Sequence, residues 1–149
     1  MQRYERLRSN FYSADLVYGK IDLKNLHHFS CFFIVQHVDN KKFIKDQAIQ
    51  LLLAGCRNFD FFGNKEPIWH LGVDEADILL YPDASSEDVA LTSGWQTLEE
   101  FAETLDVCLS ERICVPHDFF FFYDDYEIYN KTMRLLNDYD IARKDEAWE

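Results

Sequence analysis

Four consecutive phenylalanines, Phe119 to Phe122, followed by Tyr123, constrain this chain more than any other feature. On a surface such a run is an aggregation hazard. In a β-strand, successive side chains point to opposite faces. A strand built from this run therefore needs apolar cover on both sides. That is the situation of a central strand in a sheet sandwiched between two helical layers.

The rest of the chain agrees with that demand. Phe29 to Val35 is a second short apolar run, rich in aromatic and β-branched residues. Asp39 and Asn40 follow as N-cap candidates. Phe43, Ile44, Ala48, Leu51 and Leu52 then recur at helical spacing, and Gly55 stands where a C′ glycine would end the helix. Cys56 to Phe62 reads as the next strand, closed by a turn at Gly63-Asn64. Pro67 suits the first turn of a helix whose apolar side is Ile68, Trp69, Val73 and Ala76. Val89 to Thr92 is a weaker strand, expected to break at Ser93-Gly94. Thr97 and Glu100 form a capping-box pattern ahead of a stripe at Leu98, Phe101, Ala102, Leu105 and Leu109. After the phenylalanine run, a last helix is expected over residues 126–137.

Strands alternating with helices imply βαβ units and a mainly parallel sheet. The expected architecture is a three-layer α/β/α sandwich with a mainly parallel sheet of four or five strands. At 149 residues the chain is expected to form one domain over residues 1–149. Residues 1–24 read as an N-terminal extension, with a short helix near Tyr4–Leu7 and an edge strand near Leu16–Ile21. The core spans about 25–140 and is followed by a short charged tail.

Charge narrows the function classes. The chain has 15 Lys and Arg against 27 Asp and Glu, a net charge of −12. Nucleic-acid phosphates and anionic lipid surfaces both call for clustered basic residues. Neither partner is expected. The imbalance is also uneven: between Lys65 and Arg112 there are twelve acidic residues and no Lys or Arg. Such a stretch either solvates the surface or steers a basic partner. There is no apolar run of membrane-spanning length, and no apolar segment follows the basic N-terminus. Cys31, Cys56, Cys108 and Cys114 form no C-x-x-C pair and read as small buried hydrophobes in a reducing compartment. A cytoplasmic protein without cofactor or structural metal is the expectation.

In an open α/β sheet, ligands bind beyond the carboxyl ends of the strands. Those ends deliver His37, Gly63, Ser93, Asp124 and Asp125. Adjacent Asp124 and Asp125 are the chemical-looking pair: hard cations want oxygen ligands, so a metal-dependent hydrolase is one reading. Helix capping by aspartate is the simpler one. Ser93 lies outside any G-x-S-x-G elbow, the histidines fit no spaced metal motif, and neither a dinucleotide fingerprint nor a P-loop is present.

The segment Gly55-Cys56-Arg57-Asn58-Phe59 with Gly63, Trp69 and Asp74, and the segment Asp88 to Trp95 followed by Leu98-Glu99-Glu100, carry a resemblance. Over residues 29–123 the chain resembles an uncharacterised family of small acidic bacterial α/β domains. The resemblance implies this fold and a bacterial cytoplasm, and it brings no activity. A Trp-His pair expected after the third strand is here Trp95-Gln96, so no histidine role carries over.

The reading that leads is a non-catalytic protein-binding domain, an immunity- or antitoxin-like inhibitor that sets an acidic face against a basic partner. Trp95, Glu99, Glu103 and Asp106 are the residues expected on that face. The alternative is a small hydrolase or ligand-binding domain at the strand ends.

Overall fold

The computed structural model describes residues 4–8, 10–17, 28–85, 88–110 and 117–146. The chain folds as β1 (Tyr4–Arg8), β2 (Phe11–Asp15), β3 (His28–Ile34), α1 (Lys41–Leu53), β4 (Asn58–Phe62), α2 (Glu66–Leu80), β5 (Leu91–Trp95), α3 (Leu98–Ser110), β6 (His117–Tyr123) and α4 (Tyr126–Glu146). The strands form one six-stranded sheet in the order β1-β2-β6-β3-β4-β5. Every neighbouring pair is parallel except β1–β2.

The phenylalanine strand sits inside the sheet, with β2 on one side and β3 on the other. Its alternation divides the core. Phe120 and Phe122 join Phe33, Phe59, Phe61, Ile44, Leu52 and Trp69 beneath α1 and α2. Phe119 and Phe121 join Phe11, Phe32, Ile34, Phe101, Leu105, Tyr129 and Leu136 beneath α3 and α4. Two helical layers thus cover the two faces of one sheet, which is the expected three-layer α/β/α architecture. Phe121 is fully buried and tilts against both Phe101 and Tyr129. Burying side chains of this size contributes about 1.5–3 kcal/mol each.

Local signals place most boundaries. Asn40 caps α1, its side chain accepting from the Phe43 N–H at 3.0 Å. Gly55 closes that helix with φ +106°. Thr97 Oγ1 accepts from the Glu100 N–H at 3.2 Å and donates to Glu100 Oε1 at 2.9 Å. Cys31 and Cys56 are buried free thiols with sulfurs 3.5 Å apart, and burial pushes the Cys31 thiol up from its ordinary range. Cys108 is half-buried, and Cys114 lies outside the described residues. Among the described residues no helix is long and apolar enough to cross a membrane.

Four expectations change. Residues 4–8 are a strand, not a helix: pairing with β2 outweighs a weak local helical pattern. The N-terminal strand lies at Phe11–Asp15 and is interior, because β6 pairs with its inner side and β1 with its outer side. Residues 18–21 of the segment expected there lie outside the described residues. β5 runs through Ser93-Gly94 instead of breaking there, because Ser93, Gly94 and Trp95 stay in parallel register with Asp60, Phe61 and Phe62 of β4, while a Cβ at Gly94 would collide with the Glu66 side chain. The glycine admits the neighbouring helix rather than a turn. Finally, α4 continues past residue 137 to Glu146, held by the pair of Arg143 with Asp106.

Candidate functional site

The chain steps outward from β3 to β4 to β5, then returns through α3 to insert β6 on the other side of β3. The β3–β6 seam is therefore the point where the strand order reverses, and the crevice beyond its carboxyl ends is the expected ligand position. Here Asp124 fills it. Its Oδ1 accepts from the Gln36 N–H at 2.8 Å, and its Oδ2 accepts from the N–H groups of His37 at 2.9 Å and Val38 at 2.8 Å. The same loop is tied from below by Trp69, whose Nε1 donates to the Val38 carbonyl at 2.8 Å.

Asp125 caps α4: its Oδ1 accepts from the Ile128 N–H at 2.9 Å. Its Oδ2 lies 3.0 Å from His37 Nε2. The backbone N–H of Ile128 and the His37 side chain hold the Asp125 carboxyl below its ordinary value, against a smaller opposing effect of burial. Gly63 lies alongside with φ +134°, and a Cβ there would meet the Val35 carbonyl oxygen at 2.4 Å. His37, Gly63, Asp124 and Asp125 are thus brought together. Ser93 is not among them. It sits in the middle of β5, opposite Asp60.

Both oxygens of Asp124 are committed to three backbone donors, and Asp125 is divided between a helix cap and an imidazole. Among the described residues no group of three or more His, Cys, Asp or Glu side chains is placed to hold a metal ion.

A second cluster lies at the opposite edge, around β5. His70 Nδ1 is 2.9 Å from Glu66 Oε1, and His70 Nε2 is 2.8 Å from Thr92 Oγ1. Thr92 Oγ1 donates to Asp74 Oδ1 at 2.8 Å. Hydroxyl, imidazole and carboxylate in line have the form of an activated nucleophile. The proton count argues otherwise. A carboxylate only accepts, so the single hydroxyl proton goes to Asp74 and the Thr92 oxygen accepts from the imidazole. The network clamps the edge strand onto α2. Glu66, His70 and Asp74 were not singled out as a group in the sequence, although their i, i+4, i+8 spacing sets them on one helix face. Their link to Thr92 was not legible there.

On the other face of β5, Trp95 is half-buried and its Nε1 donates to Asp60 Oδ1 at 2.9 Å. Burial pushes the Asp60 carboxyl up, partly offset by that bond. Glu99 and Glu103 are exposed on α3. Asp106 is only 8% exposed, and its carboxylate takes the Arg143 guanidinium through both oxygens. Of the four residues expected on an acidic face, two are free at the surface, one lies against the sheet edge, and one is committed inside the molecule.

The Lys- and Arg-free segment now has a shape. Its three elements, α2, β5 and α3, form one side of the molecule: an edge strand with a helix on each face. The Leu91 N–H donates to the Arg57 carbonyl. Backbone groups alternate in direction along a strand, so Thr92 and Gly94 turn theirs to the open edge. Among the described residues no further strand covers them.

No family model matches the chain, and no curated protein or solved structure matches it.

Proposed function

We propose that this chain is a non-catalytic protein-binding domain that receives a basic partner on its acidic edge, as an immunity- or antitoxin-like inhibitor would. One observation carries the reading. The stretch without Lys or Arg folds into a single contiguous side, and that side is centred on a strand with free backbone donors and acceptors. Open edges of this kind accept an added strand, where main-chain hydrogen bonds give affinity and flanking side chains give specificity. Acids on both flanking helices, Asp74 on α2 and Glu99, Glu100 and Glu103 on α3, accelerate encounter with a basic surface. Leu91, 64% exposed on β5, supplies apolar contact. Trp95 and Asp106 support the edge from within and are not contact residues in this reading. We place the chain with the small acidic bacterial α/β domains that it resembles, and in the cytoplasm.

The test is capture from the source cell with tagged wild-type protein and with a triple reversal at Glu99, Glu100 and Glu103. A basic protein is expected on the wild type at low salt, lost at high salt and absent from the reversal. Hydrogen exchange on the purified complex should show the Thr92 and Gly94 amides slowed on binding. A partner held equally by the reversal, with those amides unprotected, refutes the acidic edge as the binding surface.

A further inference from the structure

On the far side of α2 from β5, a groove of about 560 Å³ runs between α1 and α2. Its floor is Ile44, Gly72 and Ala76, and its walls include Leu71 and Leu79. The floor is closed because the helices approach closely: a Cβ at Gly72 would lie 2.7 Å from Ile44 Cγ2. The walls are unusually bare for side chains of their kind. Leu71 is 59% exposed and Leu79 is 60% exposed. Contiguous apolar surface of this sort marks an interaction site more often than isolated exposed residues do.

The charges at the groove are arranged in a way that selects an occupant. Lys41 and Lys45 line it from α1, and Glu75 lines it from α2. Among the described residues none of these three makes an ion pair with another part of the chain. Both helices run antiparallel to a parallel sheet, so they run parallel to each other. The Ile44–Gly72 contact sets their relative level. Lys41 and Lys45 therefore bracket the level of Leu71, and Glu75 stands about one helical turn farther along. A twofold axis running along the groove, parallel to the helices, lays each α2 over the partner's α1 and brings each Glu75 to within about 3 Å of the level of the partner's Lys45, with the partner's Lys41 one turn beyond. The same operation lays Leu71 and Leu79 of each copy into the groove of the other. The patch is complementary to itself, as an isologous interface must be.

We infer that α1 and α2 form a homodimer interface and that the occupant of this groove is the same groove of a second copy. This interface lies on the opposite side of α2 from the acidic edge and leaves β5 open. It neither requires nor excludes the proposed function.

Charge-swapped chains test it by sedimentation velocity at about 100 µM, above the micromolar Kd expected of a modest interface. Wild type should run as a dimer. E75K sets a third lysine against Lys41 and Lys45 at both symmetry-related contacts and should weaken association by about tenfold or more. K41E/K45E should do the same. An equimolar mixture of the two should recover the dimer, because only the mixed pair relieves the like-charge contacts. Replacing exposed Leu71 and Leu79 with glutamate should give a monomer whose helical circular dichroism matches wild type. A monomeric wild type overturns the inference. So does a mixture no more associated than its components, since any other occupant would be indifferent to mixing.

Discussion

Removing the Asp124 side chain tests whether the crevice at the β3–β6 seam is a ligand site or a structural lock. D124A deletes one acceptor group that serves three backbone donors at 2.8, 2.9 and 2.8 Å. A hydrogen bond to a charged group contributes about 1.5–3 kcal/mol, but three bonds on one carboxylate do not add. His37 is exposed, so water replaces part of the loss there. Gln36 and Val38 are half-buried, so their donors recover less. The expected cost is about 3–4 kcal/mol, a large share of the roughly 5–15 kcal/mol that holds a domain together. For a chain of this length that corresponds to a fall in Tm of about 10 °C. D124N retains one acceptor oxygen but presents an amide donor to a second N–H, so it should recover less than half of the loss. Urea denaturation gives the free energies, and amide exchange at residues 36–38 gives the location. A D124A protein within about 0.5 kcal/mol of wild type, with those amides as protected as before, refutes the argument that Asp124 is a lock.

Four further outcomes follow from the same geometry. D125A removes the cap of α4 and should cost about 1 kcal/mol in urea denaturation near neutral pH. The folded Asp125 carboxyl is held low, so its contribution is complete above the unfolded value of about 3.9 and is lost as pH falls through the lower folded value. The D125A deficit should therefore vanish toward the acid end of the stability curve. D60N keeps an oxygen for Trp95 Nε1 while removing a carboxylate that burial disfavours. The wild-type penalty starts where the unfolded group ionises and is complete above the raised folded value, so D60N should equal or exceed wild type by up to about 1 kcal/mol at neutral pH, with the difference closing as pH falls toward about 4. G63A should be the worst of the glycine substitutions, at about 3 kcal/mol or more in thermal melts, because positive φ and a backbone collision coincide. G94A should cost about 1 kcal/mol, since only the Glu66 side chain must move. Titration with millimolar Mg²⁺ or Mn²⁺ should leave Tm unchanged, because the strand-end carboxylates are already engaged.

What was legible in the sequence was whatever depends on a short period or a local cap. Phe119 to Phe122 demanded cover on both faces, and the alternation delivered those rings to two separate cores. Asn40, Gly55, Pro67 and Thr97 marked helix ends within a residue or two. The N-terminal strands were misplaced because Phe11–Asp15 owes its conformation to β6, far away in the chain, and Tyr4–Arg8 in turn pairs with Phe11–Asp15. The strand-end residues were legible as a group but not in role. Adjacent aspartates after a strand are compatible with a cation, a cap or a lock, and only the positions of the Gln36, His37 and Val38 N–H groups decide between them. Asp106 read as a member of an exposed acidic face. Its partner Arg143 lies 37 residues away on a helix predicted to end before reaching it.

The acidic edge has a cost that the structure handles locally. Glu66 and Asp74 stand on one helix that carries no Lys or Arg, and like charges along a helix face disfavour it by up to a few tenths of a kcal/mol per pair. His70 stands between them, 2.9 Å from Glu66 and 3.5 Å from Asp74, and turns mutual repulsion into a ladder that also reaches Thr92 on β5. On the opposite face Asp60 and Trp95 fasten β4 to β5. An edge strand that had to open or shift to receive a partner would not be fixed from both faces. β5 is fixed, with Thr92 and Gly94 held at the rim in extended conformation. Association at that edge should then proceed without a slow rearrangement, and charge alone should govern its rate. H70A tests this directly. Loss of the ladder should lower stability by about 1–2 kcal/mol and loosen β5. In stopped-flow mixing with the captured partner, the salt-dependent single phase expected of wild type should acquire a slower, salt-independent phase in H70A. A wild type that already shows such a phase would mean that the strand is not preorganised and that the clamp has another purpose.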